Sequence, residues 1–323
     1  MTEIIFAGVS HKTADLCLRE KAYLTERAML SAYERIKTEP GVSGAFIIST
    51  CNRTELYLSA EADKTKGVAE LFGEIAGLEN DLCGVVSVNT EPDALVHLFR
   101  VAVGLESKIF FEDQILGQVK AAFELALSAD SMDNILKKAV QIAVSCAKKI
   151  KSENSDGRRG DGIAGAAAKA VAVFADERHI TALIIGGGAV GVRLAKLLVE
   201  QEQRVFITRR SREQSFPEGA VAVDYAERYA VLNAADAVVG ATKSPHITLQ
   251  AELAAAASLK PRLYLDLALP RDFDPKLATL PFAVLKNLED IEASGYDASI
   301  EAKAEEAIRE YLRDYKRWRS YGK

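Results

Sequence analysis

Hydrophobic and polar positions divide this chain into three parts. In the first, Ile4-Ile5-Phe6-Ala7-Gly8-Val9 predicts a strand. A helical pattern follows over about 18–37 and is stopped by Glu39-Pro40-Gly41. Ala45-Phe46-Ile47-Ile48 and Leu56-Tyr57-Leu58 predict two strands around a polar tip. A helix near 67–76 and a strand over Val85-Val86-Ser87-Val88 come next. From Pro92 to about Lys151 the pattern is helical, with apolar residues at Ile115, Leu116, Val119, Ala122, Phe123 and Ala126. Gln114 and Gln118, four apart, share a face off that stripe. This order predicts an α+β domain with an antiparallel sheet over residues 1–155.

Residues 152–165 are rich in glycine and charge and predict a domain boundary. Beyond them, buried-type runs at 181–185, 204–208, 237–242 and 263–268 alternate with helical stretches, which predicts an α/β Rossmann-type domain over 156–290 with a doubly wound parallel sheet. The third part, 291–323, reads as one amphipathic helix. Its stripe is Ile300, Ala304, Ala307, Ile308, Tyr311, Leu312, Tyr315 and Trp318.

Composition narrows the class. The 323 residues suit two domains with an appendage, and 49% apolar with 27% charged residues is ordinary for a globular protein. No run approaches the roughly 20 apolar residues that span a bilayer, and the start lacks a signal-peptide pattern. Cysteines at 17, 51, 83 and 146 have neither metal-ligand spacing nor a disulfide framework, so no metal is expected and a reducing cytoplasm suits the chain. The net charge of −5 leaves nucleic-acid contact to local patches such as the basic end at Arg313, Lys316, Arg317, Arg319 and Lys323.

Two motifs carry chemistry. Cys51 stands on the polar tip with Asn52 and Arg53, and a thiol beside a fixed cation is set up as a thiolate nucleophile; the alternative is a structural cysteine at a strand end. Gly186-Gly187-Gly188-Ala189-Val190-Gly191 is G-x-G-x-x-G between a strand and a helix, the context of a dinucleotide-binding turn; the alternative is a tight turn in another α/β domain. The second strand ends in Thr208-Arg209-Arg210-Ser211-Arg212 without an acid, which favours a 2′-phosphate and hence NADP over NAD, unless the turn is merely a solvated basic one.

The chain resembles the glutamyl-tRNA reductase family. The resemblance rests on Gly8-Val9-Ser10-His11-Lys12-Thr13-Ala14, Leu18-Arg19-Glu20, the stretch Ser49 to Tyr57, His97 to Ala102, Gly104-Leu105-Glu106-Ser107, Gln114 to Lys120 and Leu269-Pro270-Arg271-Asp272, in the family's order and spacing. It implies NADPH-dependent reduction of glutamyl-tRNA to glutamate-1-semialdehyde through a thioester, the first step of tetrapyrrole synthesis from glutamate. It also implies catalytic roles for Cys51 and His97, and substrate contacts from Thr50, Asn52, Arg53, Ser107, Glu112, Asp113, Gln114 and Gln118. Arg53 is the expected bidentate partner of a substrate carboxylate. The NADPH site falls on residues 186–191 with Arg209 and Arg210. His11, by contrast, reads as structural or surface, and the downstream glutamate-1-semialdehyde aminomutase is a candidate partner. Phe111 and Asp113 stand where the family has glycine and proline, and the chain ends where the family's helical dimerisation domain begins. The expected assembly is therefore a monomer or weak homodimer. A related NADPH-dependent acyl or aldehyde reductase, or a non-catalytic paralogue binding tRNA or a pathway partner, are the competing readings.

Overall fold

The computed structural model describes residues 2–78, 84–108, 113–153, 162–211, 213–257, 262–291 and 298–321. They form two compact units, Met1–Arg159 with Gly295–Lys323, and Gly160–Ser294.

The first unit runs β1 (Thr2–Ser10), α1 (Leu16–Ala22), α2 (Glu26–Ile36), β2 (Val42–Thr50), β3 (Arg53–Glu61), α3 (Val68–Ala76), β4 (Ser87–Thr90), α4 (Asp93–Val103), α5 (Asp113–Ser128) and α6 (Asn134–Glu153). Its sheet has the order β2-β3-β1-β4 with every pair antiparallel. β3 is central and buried from Arg53 to Ala60, so an acid within it has only protein to answer it. Phe6 faces Tyr57 and Gly8 faces Glu55 across the β1–β3 pair. A Cβ at Gly8 would stand 3.0 Å from the Glu55 Cγ and 2.9 Å from the Thr54 carbonyl oxygen, so glycine makes room for the Glu55 side chain.

Three expectations are corrected here. The helix expected over 18–37 is two, because Thr25 caps α2 through a hydrogen bond from the Ala28 N–H. The long helical stretch after Pro92 is three helices; α4 stops at Gly104 in the left-handed region, where φ is 95°. The strand expected at 85–88 lies at 87–90.

The second unit runs α7 (Gly162–Ala175), β5 (Thr181–Ile185), α8 (Ala189–Glu200), β6 (Arg204–Arg209), β7 (Ala220–Asp224), α9 (Arg228–Leu232), β8 (Ala237–Gly240), α10 (Ala251–Ala257), β9 (Arg262–Asp266) and β10 (Ala283–Asn287). The parallel sheet has the order β10-β9-β8-β5-β6-β7. The chain reverses direction across the sheet between β5 and β8, and ligands of such sheets bind outside the carboxyl ends of the strands at that point.

α11 (Ala298–Tyr321) returns to the first unit and packs on α4 and α6, burying Ala304, Ile308 and Tyr315. Among the described residues no helix is long and apolar enough to cross a membrane. Residues 154–161 of the expected boundary, together with Cys83, Phe111, Glu112, Arg212, Lys323 and the Asp113 side chain, lie outside the described residues.

Candidate active site

Cys51 and Asn52 form the two-residue tip between β2 and β3, with Thr50 paired to Arg53 below them. Cys51 is in no disulfide and is half-buried. Thr50 Oγ1 accepts from the Asn52 N–H at 3.2 Å. From outside the hairpin, Arg19 donates to the Cys51 carbonyl at 2.8 Å, and the His11 N–H donates to the Asn52 carbonyl at 2.9 Å.

Beneath the tip, Arg53, Glu55 and Tyr57 occupy alternate positions of β3 and so share one face. The Arg53 guanidinium donates to Glu55 Oε1 at 2.6 Å and also to the Glu106 carbonyl. Tyr57 donates to Glu55 Oε2 at 2.7 Å, and His97 Nε2 lies 3.0 Å from Glu55 Oε1. The His97 ring rests on Phe6, centroids 4.5 Å apart, and keeps 21% of its side chain exposed. Burial pushes the Glu55 carboxyl up, but the Arg53 cation and His97 more than offset it and hold it down to about 2. Glu55 is therefore an ionised acceptor that fixes one side of the His97 ring.

Arg53 is only 2% exposed and already serves Glu55 and the backbone at 106, so its charge lies inside the unit rather than at an open rim. Glu106 extends the network, its carboxylate bridging Lys12 and Arg100, while Arg100 also reaches Glu305 of α11. Burial pushes the Glu106 carboxyl up, and the bonds from Lys12 and Arg100 bring it below its ordinary range. Ser107 follows directly after this bridge and is half-buried. Gln114 and Gln118 are half-buried one turn apart on α5, which packs on β2.

His11, expected to be structural or surface, lies against the tip through its backbone N–H. Its Nδ1 is buried with no hydrogen-bond partner among the described residues. Burial first, then Arg53, Lys12, Arg19 and Lys108, lower the imidazole to about 4, so it is neutral at physiological pH.

In the second unit the glycine loop joins β5 to α8. Gly186 has φ +125°, and a Cβ there would stand 2.5 Å from the Ala241 carbonyl oxygen. A Cβ at Gly191 would stand 1.9 Å from the Gly186 carbonyl oxygen, whereas one at Gly188 would meet nothing within 4 Å. Two glycines thus close the turn and the third leaves it open at the N-terminus of α8, beside Gly187, Ala189 and Val190. This is the shape and polarity that receive a pyrophosphate, so the residues fit a dinucleotide. Thr208 Oγ1 accepts from the Gly186 N–H at 2.9 Å and ties β6 to the turn.

The basic turn after β6 is not free of acids. β7 pairs Arg209 with Asp224, and Arg209 Nε lies 2.9 Å from Asp224 Oδ1. Arg210 is exposed and stacks over Tyr225 at 5.2 Å. The sequence reading also missed two buried carboxylates at the strand ends. Asp272 accepts from the Thr242 N–H at 2.8 Å and its hydroxyl at 2.5 Å, and Asp266 accepts from Ala268 and Phe273 at 3.0 and 2.9 Å. Burial raises Asp266 to about 7 and raises Asp272 as well. An acid at a strand end followed by Pro-Arg-Asp was the available signal for this staple.

Comparison with known proteins agrees with this geometry. Residues 7–154 match the glutamyl-tRNAGlu reductase N-terminal domain, and residues 168–294 match the shikimate/quinate 5-dehydrogenase family. The chain is 36% identical over 329 residues to glutamyl-tRNA reductase of Acetivibrio thermocellus, covering 99% of this chain and 98% of that one. It is 33% identical over 325 residues to glutamyl-tRNA reductase of Alkaliphilus oremlandii, covering 98% of this chain and 96% of that one. The solved glutamyl-tRNA reductase from Methanopyrus kandleri superposes with a TM-score of 0.52 at 26% identity, over 98% of this chain and 80% of that one. With a relative 36% identical over nearly the whole of both chains, and the N-terminal domain matched over residues 7–154, the chain belongs to the glutamyl-tRNA reductase family.

Proposed function

We propose that this chain reduces glutamyl-tRNA to glutamate-1-semialdehyde with NADPH, through a thioester on Cys51. The observation that carries the reading is a cysteine outside any disulfide at a clamped hairpin tip above the Arg53–Glu55–His97 group. The Cys51 sulfur attacks the carbonyl carbon of the glutamyl ester. The bond to the tRNA ribose oxygen breaks and a thioester remains on Cys51. His97 manages the proton. With its Nε2–H donated to ionised Glu55, Nδ1 takes the thiol proton and returns it to the departing ribose oxygen. Thr50, Asn52, Ser107, Gln114 and Gln118 are assigned to hold the glutamyl group, and Glu112 and Asp113 are assigned to it from the sequence alone. Arg53 stands behind them with its charge shared with Glu55. Residues 186–191 would hold the pyrophosphate of NADPH, whose nicotinamide would supply the hydride that converts the thioester carbonyl to an aldehyde with release of the Cys51 thiolate. Arg210 is the cation for the 2′-phosphate, because Asp224 already draws on Arg209.

The test is NADPH oxidation dependent on glutamyl-tRNA, with free glutamate and uncharged tRNA as controls. Cys51→Ser is expected to lose reduction while still binding NADPH. Full activity in that variant refutes the covalent route.

A further inference from the structure

Arg19 has no part in the chemistry described so far, yet it touches the peptide of the nucleophile. Two-residue hairpin tips usually lock themselves by a positive φ at one or both central residues. Neither Cys51 nor Asn52 is among the described residues with positive φ. The tip is instead held from outside, by the His11 N–H on the Asn52 carbonyl and by Arg19 on the Cys51 carbonyl, at 2.9 and 2.8 Å. Arg19 is 2% exposed. Its Nε donates to the Ala14 carbonyl at 3.3 Å, and its NH1 lies 3.5 Å from Asn52 Oδ1, so the guanidinium is fixed in place by the entry to α1 on one side and the tip on the other. A charge held against the Cys51 peptide, out of bulk water, acts on the groups of that residue more strongly than a solvated lysine would.

We propose that Arg19 is a positioning residue for the nucleophile: it holds the Cys51 peptide at the hairpin tip, and its fixed charge keeps the Cys51 thiolate accessible at neutral pH. The inference rests on the reading of Cys51 as nucleophile, but its test needs neither tRNA nor NADPH. Around the tip stand also His11, Lys12, Arg53 and Lys108, the Glu55, His97 and Glu106 groups beneath it, and Tyr23 and Glu26 on the side of α1 and α2. His11 is neutral there, so it does not substitute for the guanidinium.

The experiment follows iodoacetamide alkylation of each cysteine against pH in the full chain, read by peptide mass spectrometry. Cys17 is exposed on the same helix as Arg19 and serves as internal reference. In Arg19→Gln the pH midpoint of Cys51 alkylation is expected to rise by about one unit while that of Cys17 stays put. Arg19→Lys, which restores the charge, is expected to bring it back towards wild type. Arg19→Met is the second neutral variant should the glutamine protein misfold. An unchanged Cys51 midpoint in a folded neutral variant overturns the proposal, and so does a lysine variant that shifts as far as the neutral ones. Because alkylation reports the thiol alone, a failed reductase assay with an intact Arg19 effect points to the wrong substrate rather than to the wrong clamp.

Discussion

Glu55 answers to three protein groups, Arg53, His97 and Tyr57, and is 1% exposed. Removing its charge leaves the Arg53 guanidinium buried without a counter-ion, which costs about 3–5 kcal/mol in comparable sites. Glu55→Gln is therefore expected to lower the thermal midpoint at pH 7 by several degrees. The sign of its pH dependence follows from the depressed carboxyl. Glu55 stabilises the fold above its unfolded value of 4.5 and loses that contribution as pH falls towards about 2. The gap between variant and wild type should narrow on going from pH 7 to pH 3 in scanning calorimetry, and a gap that widens contradicts the pairing. Arg262 is the opposite case. It is fully buried beside the Tyr264 hydroxyl, whose titration its cation lowers, and no carboxylate among the described residues forms an ion pair with it. Arg262→Met should raise the thermal midpoint, because a buried cation answered by no carboxylate among the described residues is unfavourable; a fall of several degrees shows that the guanidinium has a role this geometry does not explain. At this scale the place of Cys51 on a tip between two strands was legible, because its context is its own chain neighbours. The tie of Glu55 to His97 and that of Arg19 to the Cys51 carbonyl were not, because they span 42 and 32 residues and a linear motif carries no such distance.

The elements that a run of apolar residues marks are the ones buried on both faces, such as β5, β8 and β9. β7 and β10 escaped the sequence reading because they are the edge strands of their sheet and keep exposed positions, including Val221 and Val284. Missing β7 also hid Asp224, and with it the tie on Arg209. The boundary between α1 and α2 was hidden for a smaller reason. Thr25 is a strong cap, but apolar residues on both sides kept the helical spacing alive across it. Two predictions belong here. Arg210→Ala should cut the preference for NADPH over NADH about tenfold, the scale of one charge-assisted contact, while Arg209→Ala should do less. Equal effects of the two substitutions, measured as the ratio of kcat/KM values, would put the 2′-phosphate on both side chains. Gly191→Ala places a methyl 1.9 Å from a backbone oxygen, so the turn must open. Cofactor affinity should fall at least tenfold while NADPH-independent cleavage of glutamyl-tRNA continues, because Cys51 lies in the other unit. Loss of both activities would mean that the first unit depends on the glycine turn.

For the whole molecule the decisive element is α11, whose apolar stripe the sequence marked without saying what it covers. The structure places that stripe on the first unit. Ile308 and Tyr315 enter its core, Tyr311, Leu312 and Trp318 pack against it, and Lys138 and Lys149 lie over the rings of Trp318 and Tyr311 at 5.8 and 5.7 Å. Arg319 was expected to be a free cation for nucleic acid. It is instead bonded to Glu91, to the Tyr315 hydroxyl and to the Thr2 carbonyl, so it belongs to the fold. Cutting the chain before residue 313 would remove Tyr315 along with the basic residues, and any loss of tRNA binding would then reflect a damaged core. Arg313, Lys316 and Arg317 are exposed, and replacing all three with glutamine isolates their charge. If each meets a phosphate, the slope of log affinity against log salt should flatten by about two to three. An unchanged slope identifies the cluster as a solvated helix end. Because the apolar face of α11 is consumed within its own chain, the triple variant and wild type should both sediment as monomers at micromolar concentration. A tight dimer that persists on dilution would show that the chain pairs through a surface other than this helix stripe.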